Sequence, residues 1–223
     1  MSIEENIARV RERITQACRR CGRAPHEVRL LAVTKNQPAE AIAVAVRAGL
    51  RDIAENKVQE ALLKKAGVPA EMPGVRWHMI GHLQTNKVKD AVRLFDLIHS
   101  VDSLRLAQEI DTQAARAGKV QDILLEVHLT AEESKYGIPP EQLEAVFPDI
   151  CALPALRVCG LMGMAPVVDD PGKTRPYFRR LRELRDRLGL TELSMGMSDD
   201  FETAVEEGAT MVRIGRALFK EAR

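Results

Sequence analysis

At 223 residues, with 45% hydrophobic and 29% charged side chains, the chain has the make-up of an ordinary globular protein with material for a substantial core. A formal net charge of +1 gives no support to non-specific attraction for nucleic acid or an anionic membrane. No apolar run approaches the roughly 18 residues of a membrane span, and the opening Met1-Ser2-Ile3-Glu4-Glu5-Asn6 lacks the basic and apolar regions of a signal peptide. A cytoplasmic protein is expected, with Cys18, Cys21, Cys151 and Cys159 as free thiols.

From about Ser2 to Arg20, Ile3, Ile7, Val10, Ile14 and Ala17 recur at three- to four-residue spacing with charges between them, which predicts an amphipathic helix. Gly22 and Pro25 break it. From Val28 onward short apolar runs alternate with longer helical patterns. Strands are expected near 28–35, 51–54, 75–80, 97–101, 122–129, 156–164, 192–195 and 210–214. Helices are expected near 38–48, 56–66, 83–93, 103–117, 140–152, 173–188 and 199–207, with a short one after Gly215. Eight strands, each followed by a helix, imply parallel pairing, and eight units close a single (β/α)8 TIM-type barrel, here preceded by the N-terminal amphipathic helix. An open doubly wound sheet is the alternative, but no G-x-G-x-x-G follows the first strand. No Ser/Gly-rich linker divides the chain, so residues 1–223 are expected to form one domain. The stretches 131–140 and 166–176, rich in Pro, Gly and charge, are its expected mobile parts. The Arg-rich run 173–187 looks like a nucleic-acid stripe until Phe178, Leu181, Leu184 and Leu188 are read as a core-facing helical face, with arginines solvating its other sides.

In a barrel of this kind the active site forms where strands end and βα loops begin. The unusual residues of the chain gather there. Lys35 closes the apolar run 28–35 just before Gln37-Pro38. A lysine ending a buried strand is costly unless it snorkels, is paired or is used chemically, and used lysines condense with aldehydes. The loops after strands seven and eight are the usual phosphate site. Asp199 and Glu202 are expected to form an N-cap and capping box there. That would leave Ser198 free to donate its hydroxyl to a phosphate oxygen, while Gly215 and Arg216 open a short helix whose backbone N–H groups face the same anion. Arg213 interrupts the apolar Met211-Val212-x-Ile214 run and must be exposed, paired or bound to a ligand. Glycines 81, 163, 196 and 215 suit sharp turns and close approach to a ligand. His82 follows Gly81 at the end of strand three, where lining the pocket and filling a turn are both open; His78, within the strand, reads as a satisfied core residue. No metal is expected: Gly81 breaks the helical geometry that His78-x-x-x-His82 would need, and Cys18-x-x-Cys21 has no second pair at metal spacing. A carbonyl-reactive lysine, a phosphate cradle and an arginine at one barrel mouth describe a pyridoxal 5′-phosphate (PLP) site. Lys35 would take the aldehyde, Ser198 with the Gly215 and Arg216 amides the phosphate, and Arg213 the ring nitrogen.

Five segments carry a resemblance: Ala32-Val33-Thr34-Lys35, Glu55-Asn56-Lys57-Val58-Gln59-Glu60, the run from Trp77 to Lys87, the run from Ser194 to Asp200, and Val212-Arg213-Ile214-Gly215. In matching order they closely resemble the YggS/PROSC family of pyridoxal phosphate homeostasis proteins. The resemblance implies a barrel like the N-terminal domain of alanine racemase, with PLP held as an internal aldimine on Lys35 and with Asn56 as a contact. It also implies a role in the homeostasis of vitamin B6 and amino acids, PLP-dependent apo-enzymes as partners, a monomer, and no established turnover. Two departures stand out: Ile53-Ala54 where the family usually has Phe-Gly, and His128 where it usually has asparagine.

A slow PLP-dependent racemase, or a related catalyst, is the competing reading of the same site. Arg213 donates to a ring nitrogen without handing it a proton, which makes a weak electron sink. A racemase needs a base on each cofactor face, and Lys35 supplies one. In two-domain alanine racemases the other is a tyrosine of the partner's second domain, and this chain ends at Arg223 without such a domain. Met164 stands where the racemase motif has its orienting histidine, and Tyr136 and Tyr177 read as surface or packing residues. A carrier is therefore expected ahead of a catalyst. A third class, a barrel acting on a phosphorylated metabolite with a Schiff-base Lys35, would use the same loops without a cofactor.

Overall fold

The structure, a computed structural model, describes residues 1–67, 74–130 and 136–219. Helix α1 (Ile3–Arg20) opens on a capping box: the Glu5 amide donates to Ser2 Oγ at 3.2 Å and the Ser2 amide to Glu5 Oε2 at 2.8 Å. Its apolar stripe of Ile7, Val10, Ile14 and Ala17 is fully buried. Cys18 is buried on the same face, and all four cysteines are free thiols. Gly22 (φ 71°) turns the chain out of the helix in the left-handed region that glycine tolerates.

Eight strands follow: β1 (Arg29–Val33), β2 (Asp52–Glu55), β3 (Arg76–Met79), β4 (Leu97–Val101), β5 (Gln121–Val127), β6 (Leu156–Gly163), β7 (Glu192–Ser194) and β8 (Met211–Ile214). They are separated by α2 (Ala39–Arg47), α3 (Val58–Gly67), α4 (Val88–Leu94), α5 (Leu104–Arg116), α6 (Pro140–Cys151), α7 (Arg175–Arg187) and α8 (Phe201–Glu206), with α9 (Arg216–Phe219) after β8. Each strand pairs in parallel with the next, and β1 also pairs with β8, so that Leu31 lies opposite Asp52 on one side and Arg213 on the other. The closed (β/α)8 barrel is the expected fold, and the open sheet is excluded. Strand residues alternate between two apolar layers. Ile53, Ile98, Ile123 and Leu125 pack outward against helices, while Leu31, Val33, Ala54, Leu97, Leu124, Met162 and Met211 fill the barrel interior.

Helix α1 braces the point of closure. Asn6 Nδ2 donates to Leu218 O at 3.0 Å, Arg11 to the carbonyls of Ala48 and Gly49, and Arg13 and Arg20 pair with Glu202 and Glu206. The α7 arginines do more than solvate a surface. Phe178, Leu181 and Leu184 are buried as expected, but Arg175, Arg179 and Arg182 converge on the buried Glu207, which ties α7 to the end of α8. Residues 131–135 of the expected mobile loop lie outside the described residues, and the stretch 166–176 contains a 3-10 turn at Pro171–Thr174 capped by Asp170. Among the described residues no helix is long and apolar enough to cross a membrane.

Candidate cofactor site

The C-terminal rim of the barrel holds a cavity of about 340 Å³. Its polar lining comes from Lys35, Asn56, Ser198, Asp199, Arg213, Gly215 and Arg216, and its apolar lining from Val33, Ile80, Met164 and Met197. Six of the seven residues singled out from sequence thus come together. His82 does not: its ring stacks on Tyr136 with centroids 3.7 Å apart, and its Nδ1 lies 3.3 Å from Asp102, away from this cavity.

Lys35 itself is placed differently from the expectation. β1 ends at Val33, Thr34 is buried, and Lys35 is an exposed turn residue followed by Asn36 in the left-handed region (φ 61°). The apolar run is thus longer than the strand: Thr34 still donates its amide to Ala54 O at 3.0 Å, but its carbonyl turns to a side-chain partner. Its hydroxyl donates to Glu55 Oε1, and its carbonyl accepts from Lys64 Nζ at 2.6 Å. Lys64 also bonds Glu55 Oε1 at 2.7 Å and Glu60 Oε2 at 3.3 Å, and Glu60 Oε2 accepts the Asn36 amide at 3.4 Å. Both chain neighbours of Lys35 are therefore fastened to α3 and β2, leaving its amine on a fixed base. Sequence reasoning passed over Lys64, although Glu60 and Lys64 stand at the i,i+4 spacing of a helical ion pair.

The anion side of the rim departs from the expected capping pattern. Asp199 and Glu202 form no capping box: Asp199 pairs with Arg216, and Glu202 reaches across to Arg13. Asp200 instead closes the turn, its Oδ1 accepting the Met197 amide at 2.6 Å. Gly196 (φ 90°) allows this turn to lie against α8, where an added Cβ would sit 2.5 Å from Ala204 Cβ. Ser198 Oγ accepts the Ala217 amide at 3.3 Å, which leaves its own hydrogen for an outside acceptor. The Leu218 and Phe219 amides close onto Gly215 O at 3.0 and 3.1 Å, so the amides that lie ahead of the helix's own bonds are those of Gly215 and Arg216.

Arg213 is almost fully buried. Nη1 donates to Ser194 O (2.6 Å) and Ser194 Oγ (2.8 Å), and Nη2 to Gly163 O (3.1 Å). Burial lowers its pKa to about 10 against the attraction of Glu126 and Asp200, so it stays charged at neutral pH. Burial also raises Glu126 to about 7, with Arg213 opposing and Asp102 adding to the shift. On the second strand, Ala54 carries its methyl into the barrel interior, and Asn56 still lines the cavity. Gly81 makes room for that loop: a Cβ there would lie 2.3 Å from Asn56 O.

Three cationic side chains against one carboxylate line this cavity, which suits an anion with a carbonyl and a flat apolar body. Among the described residues no cluster of metal-ligating side chains competes with that description. A family profile described as the alanine racemase N-terminal domain matches residues 3–222. The chain is 46% identical over 229 residues to a pyridoxal phosphate homeostasis protein of Aquifex aeolicus, covering all of both chains. It is 46% identical over 220 residues to one of Pseudomonas aeruginosa, covering 98% and 95%. The solved structure of PipY of Synechococcus elongatus with PLP bound superposes with a TM-score of 0.86 at 38% identity, covering 98% of this chain and 100% of that one. The chain belongs to the alanine racemase N-terminal-domain family, within the group of pyridoxal phosphate homeostasis proteins.

Proposed function

We propose that the chain binds PLP at this rim, tethered through Lys35, and serves as a carrier in the homeostasis of vitamin B6 and amino acids. The observation that carries this reading is the convergence of Lys35, Ser198, Arg213 and Gly215, from three consecutive strands of the ring, on one cavity of fitting size. PLP supplies an aldehyde that condenses with a lysine amine, an anionic phosphate and a pyridine nitrogen. The chain offers a group for each: the Lys35 amine on its fastened turn, the Ser198 hydroxyl with the Gly215 and Arg216 amides, and the Arg213 guanidinium. Val33, Ile80, Met164 and Met197 supply the apolar walls for the ring. The carrier works as a single barrel domain over residues 1–223, monomeric and cytoplasmic, with PLP-dependent apo-enzymes as recipients.

A carrier is favoured over a racemase by where the candidate second bases sit. His82 and Tyr136 are stacked on each other, with His82 held by Asp102. The test is spectroscopic. Purified protein loaded with PLP should absorb in the visible, and borohydride should bleach it and leave the label on Lys35. A protein that cannot be loaded, or a Lys35→Ala variant that labels as well as the parent, would refute the reading. Rapid deuterium exchange at an amino acid's Cα, abolished in Lys35→Ala, would replace the carrier with an enzyme.

A further inference from the structure

A row of polar side chains crosses the largely apolar barrel interior. Asp52, at the start of β2, accepts from His78 Nε2 at 2.9 Å and pairs with Arg76 at 2.8 Å. His78 Nδ1 lies 3.0 Å from His99 Nε2, and His99 Nδ1 lies 2.9 Å from Ser194 Oγ on the far side of the ring. Ser194 Oγ takes the Arg213 hydrogen bond already described. All five residues are buried, and the row runs from the N-terminal end of the barrel to the cavity at its other end.

Hydrogen-bond bookkeeping favours one arrangement for this row. Arg213 can only donate, so Ser194 Oγ accepts from it, and the Ser194 hydrogen finds its acceptor within the row at His99 Nδ1. His99 must then carry its proton on Nε2 and donate to His78 Nδ1, and His78 must carry its proton on Nε2 and donate to Asp52. Reversal would leave the Ser194 hydrogen without an acceptor in the row and bring a bare imidazole nitrogen against the Asp52 carboxylate. Charging His99 is opposed by burial first and by the nearby Arg213. Every bond thus points from Arg213 toward Asp52, and each strengthens the next in a medium of low dielectric.

We propose that Asp52, His78, His99 and Ser194 are positioning residues, a one-directional relay that fixes the Arg213 guanidinium for the ring nitrogen of the cofactor from the opposite end of the barrel. The proposal rests on the PLP reading, but its first test does not. In apo-protein labelled with ¹⁵N-histidine, long-range ¹H–¹⁵N spectra should show His99 as a neutral Nε2–H tautomer at neutral pH and above. An Nδ1–H tautomer or a charged ring at His99 overturns the relay whether or not PLP binds. In the loaded protein, Ser194→Ala and His99→Leu should each weaken PLP binding about tenfold and shift the visible absorption maximum. His99→Asn, which keeps an acceptor for the Ser194 hydroxyl, should recover much of both. A network that only pins the barrel would change apo stability but leave the absorption maximum where it was, and that result also overturns the proposal. Ser194→Ala removes one atom and decides the matter should His99→Leu not fold. Failure of the parent to bind PLP would refute the proposed function and leave the tautomer result standing.

Discussion

Glu126 is the side chain whose charge state most directly couples the barrel interior to pH. It is buried, faces the field of Arg213, and has its pKa raised from 4.5 to about 7, chiefly by burial. An acid whose native pKa lies above its unfolded value binds its proton more tightly when folded. Stability is therefore highest below the unfolded pKa, falls as the pH rises from about 4.5 toward 7, and levels off above. A shift of this size corresponds to about 3 kcal/mol. Urea unfolding of the apo-protein should lose about 2–3 kcal/mol between about pH 5 and about pH 8, and Glu126→Gln should flatten most of that slope. A parent whose stability is level across that range would show that Glu126 is ionised throughout. The neighbouring His128, which departs from the family's usual asparagine, lies next to Val127 on the same segment, its ring only loosely bonded to Thr130 at 3.4 Å.

At the scale of elements, the site depends on loops that touch one another before they touch a ligand. The β3 loop reaches the β2 loop because Gly81 has no side chain, so Gly81→Ala must push Asn56 out of place. The expected cost is about 1–3 kcal/mol of stability, as for other overpacked positions. PLP affinity should fall beyond what stability explains, measured by denaturation of the apo-protein beside a binding titration. Much of this layer was legible in the chain. Parallel strands buried on both faces read as unbroken apolar runs, and their alternation with helical periods gave both element count and closure. Boundaries slipped where a backbone group turned to a side-chain partner, as the Thr34 carbonyl does to Lys64, a choice visible only once α3 lies beside β1. The capping box at Asp199 failed for a related reason: the arginines that claim Asp199 and Glu202 lie 17 and 189 residues away in sequence. His82 lies away from the cavity, stacked on Tyr136, a contact that local pattern does not encode. The relay was half legible. Leu97 and His99 share the inward face of β4 by strand periodicity, but the partner of His99 stands 95 residues further on.

For the molecule as a whole, closure is the demanding step, since β1 must find β8 almost a full chain length away. Helix α1 covers that region, and Ile7, Val10 and Ile14 alone bury apolar surface worth on the order of 5 kcal/mol. That is comparable with the net stability of many domains. A chain lacking residues 1–21 should therefore lose cooperative unfolding and bind a hydrophobic dye; a truncated protein that still melts in one sharp transition would assign closure to the strands alone. The cavity stands at the same place. Lys35 extends from β1, and Ser198 and Gly215 from β7 and β8, so a molecule gripped by all three spans the join between the beginning and the end of the chain. Such a ligand would act as a rivet through the one pair, among the described strands, that does not join sequence neighbours. Surrendering it would remove a cross-link between the two ends of the chain, so the cofactor-free protein should be the form more open to proteases, and cofactor supply would set the protein's own lifetime.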